Sequence, residues 1–126
     1  MNTTGTLQTA TVISKTTQTN MGSAIPCENA EYITVYLDYT KGDETGVDII
    51  LNKLLSVDGA KYQEREWASS SGVLTSNVQK IRLTATGKYT YSFFIEGSNW
   101  VQFTQGGSNN DGTPTGTLAA SYVMSN

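Results

Sequence analysis

The chain contains no histidine. Its absence removes the commonest general base, the Ser-His and Cys-His nucleophile pairs, and the usual zinc and iron ligands. Only carboxylates, lysines, tyrosines and one thiol are left to carry chemistry. That thiol, Cys27, has no second cysteine in the chain to bridge to. Charge is sparse: 15% of the 126 residues are charged and the net charge is −3, which leaves no basic field for nucleic acid. No apolar stretch reaches the ~18 residues a membrane span needs. The opening "MNTTGTLQTATVISKT" has neither a basic leader nor an apolar core, so no secretory signal is expected.

What is present is threonine, serine, glycine, tyrosine and valine with two prolines, the mix of short strands and many turns. A chain of this length fits one domain and buries roughly two thirds of its unfolded surface, so a core needs no disulfide. Alternation with period two dominates. In "YITVYLDY" Ile33, Val35, Leu37 and Tyr39 share the core face, while Tyr32, Thr34, Tyr36 and Asp38 share the other. "KYTYSFFI" sets Tyr89, Tyr91, Phe93 and Ile95 in phase, "KIRLTA" sets Ile81, Leu83 and Ala85, and "TLAASYVM" sets Leu118, Ala120, Tyr122 and Met124. "TLQTATVIS" and "NWVQFTQ" are weaker strand candidates. Asp58-Gly59, Gly87 and Gly97-Ser98 are hairpin-grade turn signals, which favour an antiparallel meander over crossover helices.

"VDIILNKLL" is ambiguous. Val47, Ile50, Leu51, Leu54 and Leu55 sit at helical spacing, yet two adjacent isoleucines and the Asp-Gly turn that follows favour a strand. "KYQEREWASSS" also admits a short helix. Residues 15–29 read as a long polar connection, "ASSSGVLTSN" as a mid-chain loop, and residues 105–116 as a turn-rich loop. The expected fold is all-β: an antiparallel β-sandwich, jelly-roll-like, of about eight strands. Residues 1–29 are expected to supply an N-terminal strand or arm and the polar connection, and residues 30–126 the sandwich domain.

Few residues invite chemistry. Asp43, Glu44 and Asp48 lie close together after the "YITVYLDY" strand, but their spacing fits no calcium loop, and a solvated hairpin tip is the expectation. "SNNDG" at 108–112 lacks the alternating aspartates of a calcium loop and reads as a turn. Glu64, Glu66 and Glu96 offer no spacing that singles out an acid and a base for glycoside chemistry. Cys27 has no histidine partner, and "QGGSNNDG" lacks the lysine of a phosphate loop. No catalytic residue, metal ligand set or cofactor is expected. Exposed aromatics are the remaining candidates. Tyr32, Tyr36 and Trp100 could anchor a protein interface, stack on sugar, or belong to a core covered on both faces.

The strings "ITVYLDYTKGDETGVDI", "SVDGAKYQE" and "GKYTYSFFIEGSNWV" resemble small bacteriophage virion proteins of the capsid-decoration, or cement, type. The likeness covers roughly residues 30–104 and is most specific at 39–46. It implies a non-enzymatic coat component that binds the major capsid protein or neighbouring virion proteins on the assembled head. It further implies a homo-oligomer, with a trimer on a symmetry axis as one form, located in the virion and assembled in the host cytoplasm. A polar leading arm that orders on a neighbour is in keeping with such a role. The competing expectation is a carbohydrate- or receptor-binding module of a tail or fibre.

Overall fold

The computed structural model describes residues 2–108 and 113–126, so most of the "SNNDG" stretch lies outside the described residues. Eleven strands account for the secondary structure of the described residues. They are β1 (Thr3–Val12), β2 (Thr19–Pro26), β3 (Tyr32–Thr40), β4 (Val47–Leu54), β5 (Tyr62–Gln63), β6 (Arg65–Ser70), β7 (Val73–Val78), β8 (Ile81–Leu83), β9 (Gly87–Phe94), β10 (Trp100–Gly107) and β11 (Thr117–Ser125). The first sheet runs β1-β11-β3-β9; the second runs β2-β10-β4, with β5 and β8 both paired to β4. Strands β6 and β7 pair only with each other.

The pairs β1–β11, β2–β10, β3–β9 and β4–β8 are nested. The chain is thus one long hairpin, closed at its tip by β5–β7 and rolled into two facing sheets. Cross-pairs β11–β3 and β10–β4 complete them. This is a jelly roll of eight strands carrying a three-strand insertion.

Period two explains why these segments pair this way. Ile33, Val35, Leu37 and Tyr39 all point into the gap between sheets, as the alternation requires, and meet Val47, Ile49 and Leu51 of β4, Val101 and Phe103 of β10, and Leu118, Ala120 and Met124 of β11 in one core. "VDIILNKLL" is a strand. Its helical spacing arises because β4 is buried on both faces: Ile50, Asn52 and Asp48 are buried as well as the core-facing Val47, Ile49 and Leu51.

The meander expectation does not hold. Gly87 and Gly97-Ser98 do not close hairpins; they lie where the chain passes from one sheet to the other, β8 to β9 and β9 to β10. Asp58-Gly59 does join two paired strands, but through a wider loop in which neither residue has a positive φ; the Gly59 N–H donates instead to the Ser56 carbonyl at 2.9 Å. The "ASSSGVLTSN" loop is the β6–β7 hairpin, turned by Ser71 (φ 51°) and Gly72 (φ 78°). Two successive positive φ values give a turn whose twist matches a tight hairpin. Residues 15–29, expected as a connection, contain β2. Only Met21 and Ile25 of that strand face the core, four residues apart, because extra residues bulge out between them where β10 spends two. The bulge erases the alternation.

A candidate interaction surface

The acidic turn is a corner between sheets, since β3 and β4 belong to different ones. Its expected role as a solvated hairpin tip is therefore replaced. Glu44 is only 5% exposed. Its Oε2 accepts hydrogen bonds from the Tyr39 hydroxyl at 2.5 Å and the Gly42 N–H at 2.8 Å, and its Oε1 from the N–H groups of Thr115 at 3.1 Å and Gly116 at 2.8 Å. One carboxylate so ties the corner to the segment entering β11. Gly116 is required there, because a Cβ would press on the Glu44 carboxylate and come within 2.7 Å of the Thr40 carbonyl oxygen. Burial alone would push the carboxyl up; the bonds from Tyr39, Gly42 and Gly116 outweigh it and hold the group at about 2. Burial, then the bond to Glu44, pushes the Tyr39 hydroxyl well above the ordinary tyrosine range.

Asp48 faces away from this cluster, on the outer side of the second sheet. Arg82 grips it through Nε at 2.8 Å and Nη2 at 3.0 Å, and Lys80 stands at 3.9 Å. Glu44 and Asp48 therefore serve different partners while Asp43 is exposed, and among the described residues no three acidic or other ligating side chains gather as calcium would require. Millimolar calcium is expected to shift the melting temperature by less than about 1 °C, in the wild type and in Asp43→Asn alike. A shift of several degrees that Asp43→Asn abolishes would establish an ion site at the corner.

Glu64 is engaged by Lys53 at 2.6 Å, Glu66 lies on the exposed hairpin, and Glu96 is exposed in the turn between β9 and β10. Cys27 is buried, and burial pushes its thiol up to about 11 despite the opposing pull of Lys53. A thiol so rarely ionised is a poor nucleophile.

Tyr32 and Tyr36 do share one surface, the outer face of β3. Tyr32 stands edge-on to Phe94 of β9, its cross-strand neighbour, with ring centroids 5.4 Å apart. Tyr36 borders a shallow apolar depression lined also by Asp38, Lys88, Tyr89 and Thr90, with the Lys88 ammonium 2.7 Å from the Asp38 carboxylate. Trp100 is brought to neither. It lies half-buried on β10, between Pro26 and Leu54 of its neighbouring strands in the second sheet.

Sequence context does not single out the most exposed aromatic. Trp67 is 65% exposed on β6, and Leu74 of β7 is equally exposed. Trp67 pairs with Ser76 and Leu74 with Ser69, so the two apolar side chains are diagonal neighbours on one face of the hairpin. That hairpin belongs to neither main sheet. Its root is held by the Gln79 N–H on the Glu64 carbonyl at 2.9 Å and by the Lys53–Glu64 ion pair. An isolated two-stranded ribbon is marginal in water, and a tryptophan on its bare face contributes nothing to the core. The only hint in the sequence is a large aromatic in a serine-rich stretch without alternation, and that pattern does not by itself distinguish an exposed side chain from a buried one.

No protein-family model matches the chain, and no curated protein matches it. Solved structures do. SPBc2 prophage-derived protein YomS is similar with a TM-score of 0.60, over 98% of this chain and 92% of that one, at 17% identity. A chain in the structure of infectious bursal disease virus Gx strain is similar with a TM-score of 0.53 at 10% identity. There the match takes in 98% of this chain but 31% of the viral one. What is shared is the fold. At these identities no residue role carries across.

Proposed function

We propose that this chain is a structural protein of a bacteriophage virion: a decoration protein on the outer surface of the assembled head that catalyses no reaction. The major capsid protein, or a neighbouring virion protein, is its partner. The observation that carries the reading is the β6–β7 hairpin, which projects Trp67 and Leu74 from the jelly roll. A protein whose task is adhesion needs a rigid body and an apolar anchor, and tryptophan is the side chain most enriched among residues that dominate interface energy. The jelly roll itself recurs in viral capsid domains. Likeness to a prophage-derived protein over nearly the whole of both chains supports the same setting.

The test is binding to purified heads of the encoding phage, with cryo-electron microscopy to locate the bound copies. Trp67→Ala is expected to weaken binding roughly 30-fold, the equivalent of about 2 kcal/mol. Replacing residues 67–76 with a short Gly-Ser link should abolish binding while moving the melting temperature by only about 2–3 °C, because those side chains lie outside the core. Undiminished binding by both variants, or particles on which no copy is found, would sink the proposal.

One observation favours the second reading, a glycan-binding module. Half-exposed Tyr36 flanks a depression whose rim holds the Asp38–Lys88 pair, a ring for stacking beside groups for hydrogen bonding. Glycan-array binding lost in Tyr36→Ala and kept in Trp67→Ala would select it. Sugar-independent co-sedimentation with heads would select the first.

A further inference from the structure

The edges of the two main sheets are not alike. An open edge presents unpaired backbone groups, and natural proteins blunt it with bulges, prolines or brevity. Strand β1 breaks register with β11 twice, between Thr6 and Gln8 and between Gln8 and Thr11. Strand β2 is bulged against β10, has Gly22 at a φ of 71° and ends at Pro26. The far side of the second sheet is closed by β5 and β8, of two and three residues. Strand β9 has none of these devices. It is eight residues long, keeps an unbroken register with β3, and contains no proline. Its only charged side chain, Lys88, is paired with Asp38 of β3.

The backbone of this edge is oriented for pairing. The Ile95 N–H donates to the Glu31 carbonyl at 2.7 Å. Bonded and non-bonded pairs alternate along an antiparallel ladder. Tyr89, Tyr91 and Phe93 therefore spend their backbone groups on β3, and Lys88, Thr90, Ser92 and Phe94 direct theirs outward. The side chains follow suit. Tyr91 points toward the core side yet is 46% exposed, and Phe94 on the outer face is 54% exposed. Tyr91 is also the last ring of a chain that runs from the interior: Phe103 to Phe93 at 5.7 Å, then Phe93 to Tyr91 at 4.8 Å. No further ring among the described residues continues it; Tyr91 shares a shallow cavity with Glu64, Arg65, Glu66 and Gln79 at the root of the hairpin.

We propose that β9 pairs with β9 of a second copy, antiparallel about a two-fold axis through Tyr91, doubling the four-stranded sheet. In this register Thr90 lies opposite Ser92 of the other copy and Tyr89 opposite its Phe93, while Tyr91 meets its own equivalent. Lys88 lies opposite Phe94, so the two ammonium groups sit at opposite ends of the ladder and a cation meets a ring face instead of another cation. Outward N–H and C=O groups of Lys88, Thr90, Ser92 and Phe94 fall opposite outward groups at all four positions. Side-chain face, hydrogen-bond phase and charge agree on one partner, a copy of the same strand. The result is a two-fold pair, distinct from the trimer that the family resemblance implies, and it stands whether or not the protein works on a virion.

Sedimentation equilibrium at micromolar concentration is expected to give a dimer. Ser92→Pro removes an outward donor at a position where an edge strand tolerates proline, and should give a folded monomer. Covalent trapping supplies the second measurement. Tyr91→Cys should form an intermolecular disulfide on mild oxidation, because a non-bonded pair on the axis brings its Cβ atoms to about 4.5 Å. Thr90→Cys should not, since its two copies lie diagonally about 7–8 Å apart. Buried Cys27 leaves the readout clean. A wild-type monomer or trimer, or cross-linking of Thr90→Cys in preference to Tyr91→Cys, would overturn the proposal.

Discussion

Glu44→Gln is expected to lower the melting temperature by roughly 10 °C at neutral pH and to remove part of the protein's acid sensitivity. The amide keeps an acceptor for Thr115 and Gly116, but its nitrogen faces the Gly42 N–H, which can only donate, and the Tyr39 hydroxyl, which must turn to accept. Losing charge-assisted bonds and leaving a buried donor unmet costs about 3 kcal/mol, and a domain of this size loses a few degrees for each of them. The pH dependence follows from linkage. The native carboxyl titrates near 2 where an ordinary one titrates near 4.5, so the fold favours the ionised form. Its contribution is complete above about pH 4.5 and disappears as pH falls toward 2; it is on the order of 3 kcal/mol. Melting curves of wild type and Glu44→Gln should accordingly converge between pH 5 and pH 2. Parallel curves over that range would mean that the corner does not depend on the charge.

Removal of residues 2–13 is expected to abolish cooperative unfolding altogether. If the leading segment were an arm, its loss would weaken adhesion and spare the melting temperature. The structure places it otherwise. Strand β1 pairs with β11 from Thr3 to Val12, Leu7 and Ile13 are buried, and the Ile13 N–H donates to the Gly116 carbonyl at 3.2 Å. Two such side chains are worth roughly 1.5–3 kcal/mol each. Their removal also uncovers the core beneath Leu118, Ala120 and Met124. Against a net stability of about 5–15 kcal/mol, that loss leaves little. The check is circular dichroism during a thermal ramp. A sigmoidal transition within a few degrees of wild type would restore the arm.

Strands that alternate cleanly are legible in the residue order alone. β3, β9 and β11 each turn one face to the core and one to solvent, and their periodicity records it. β4 is harder to read, because a strand covered on both sides has no polar phase to reveal it. Strand β2 is hidden by its bulge, and β6–β7 by having no buried face at all. Sheet assignment is beyond reach for a different reason: a glycine that ends a strand looks the same whether the chain then doubles back or crosses the sandwich. The corner carboxylate illustrates the limit for the site. Nothing in "YTKGDETG" shows that its donors include residues some seventy positions further on, at Thr115 and Gly116. Tyr32 and Tyr36 are legible as outward side chains; Trp67 is not, since exposure there comes from the lack of any partner sheet.

The nested pairing also governs when folding can occur. Thr3 is hydrogen-bonded into a ladder with the strand that ends at Ser125, so β1 must wait for β11 to be made. A nascent chain whose β11 is still in the ribosome tunnel lacks the element that lies between β1 and β3 and unites the first sheet. Translation must pass Ser125 before that sheet can close.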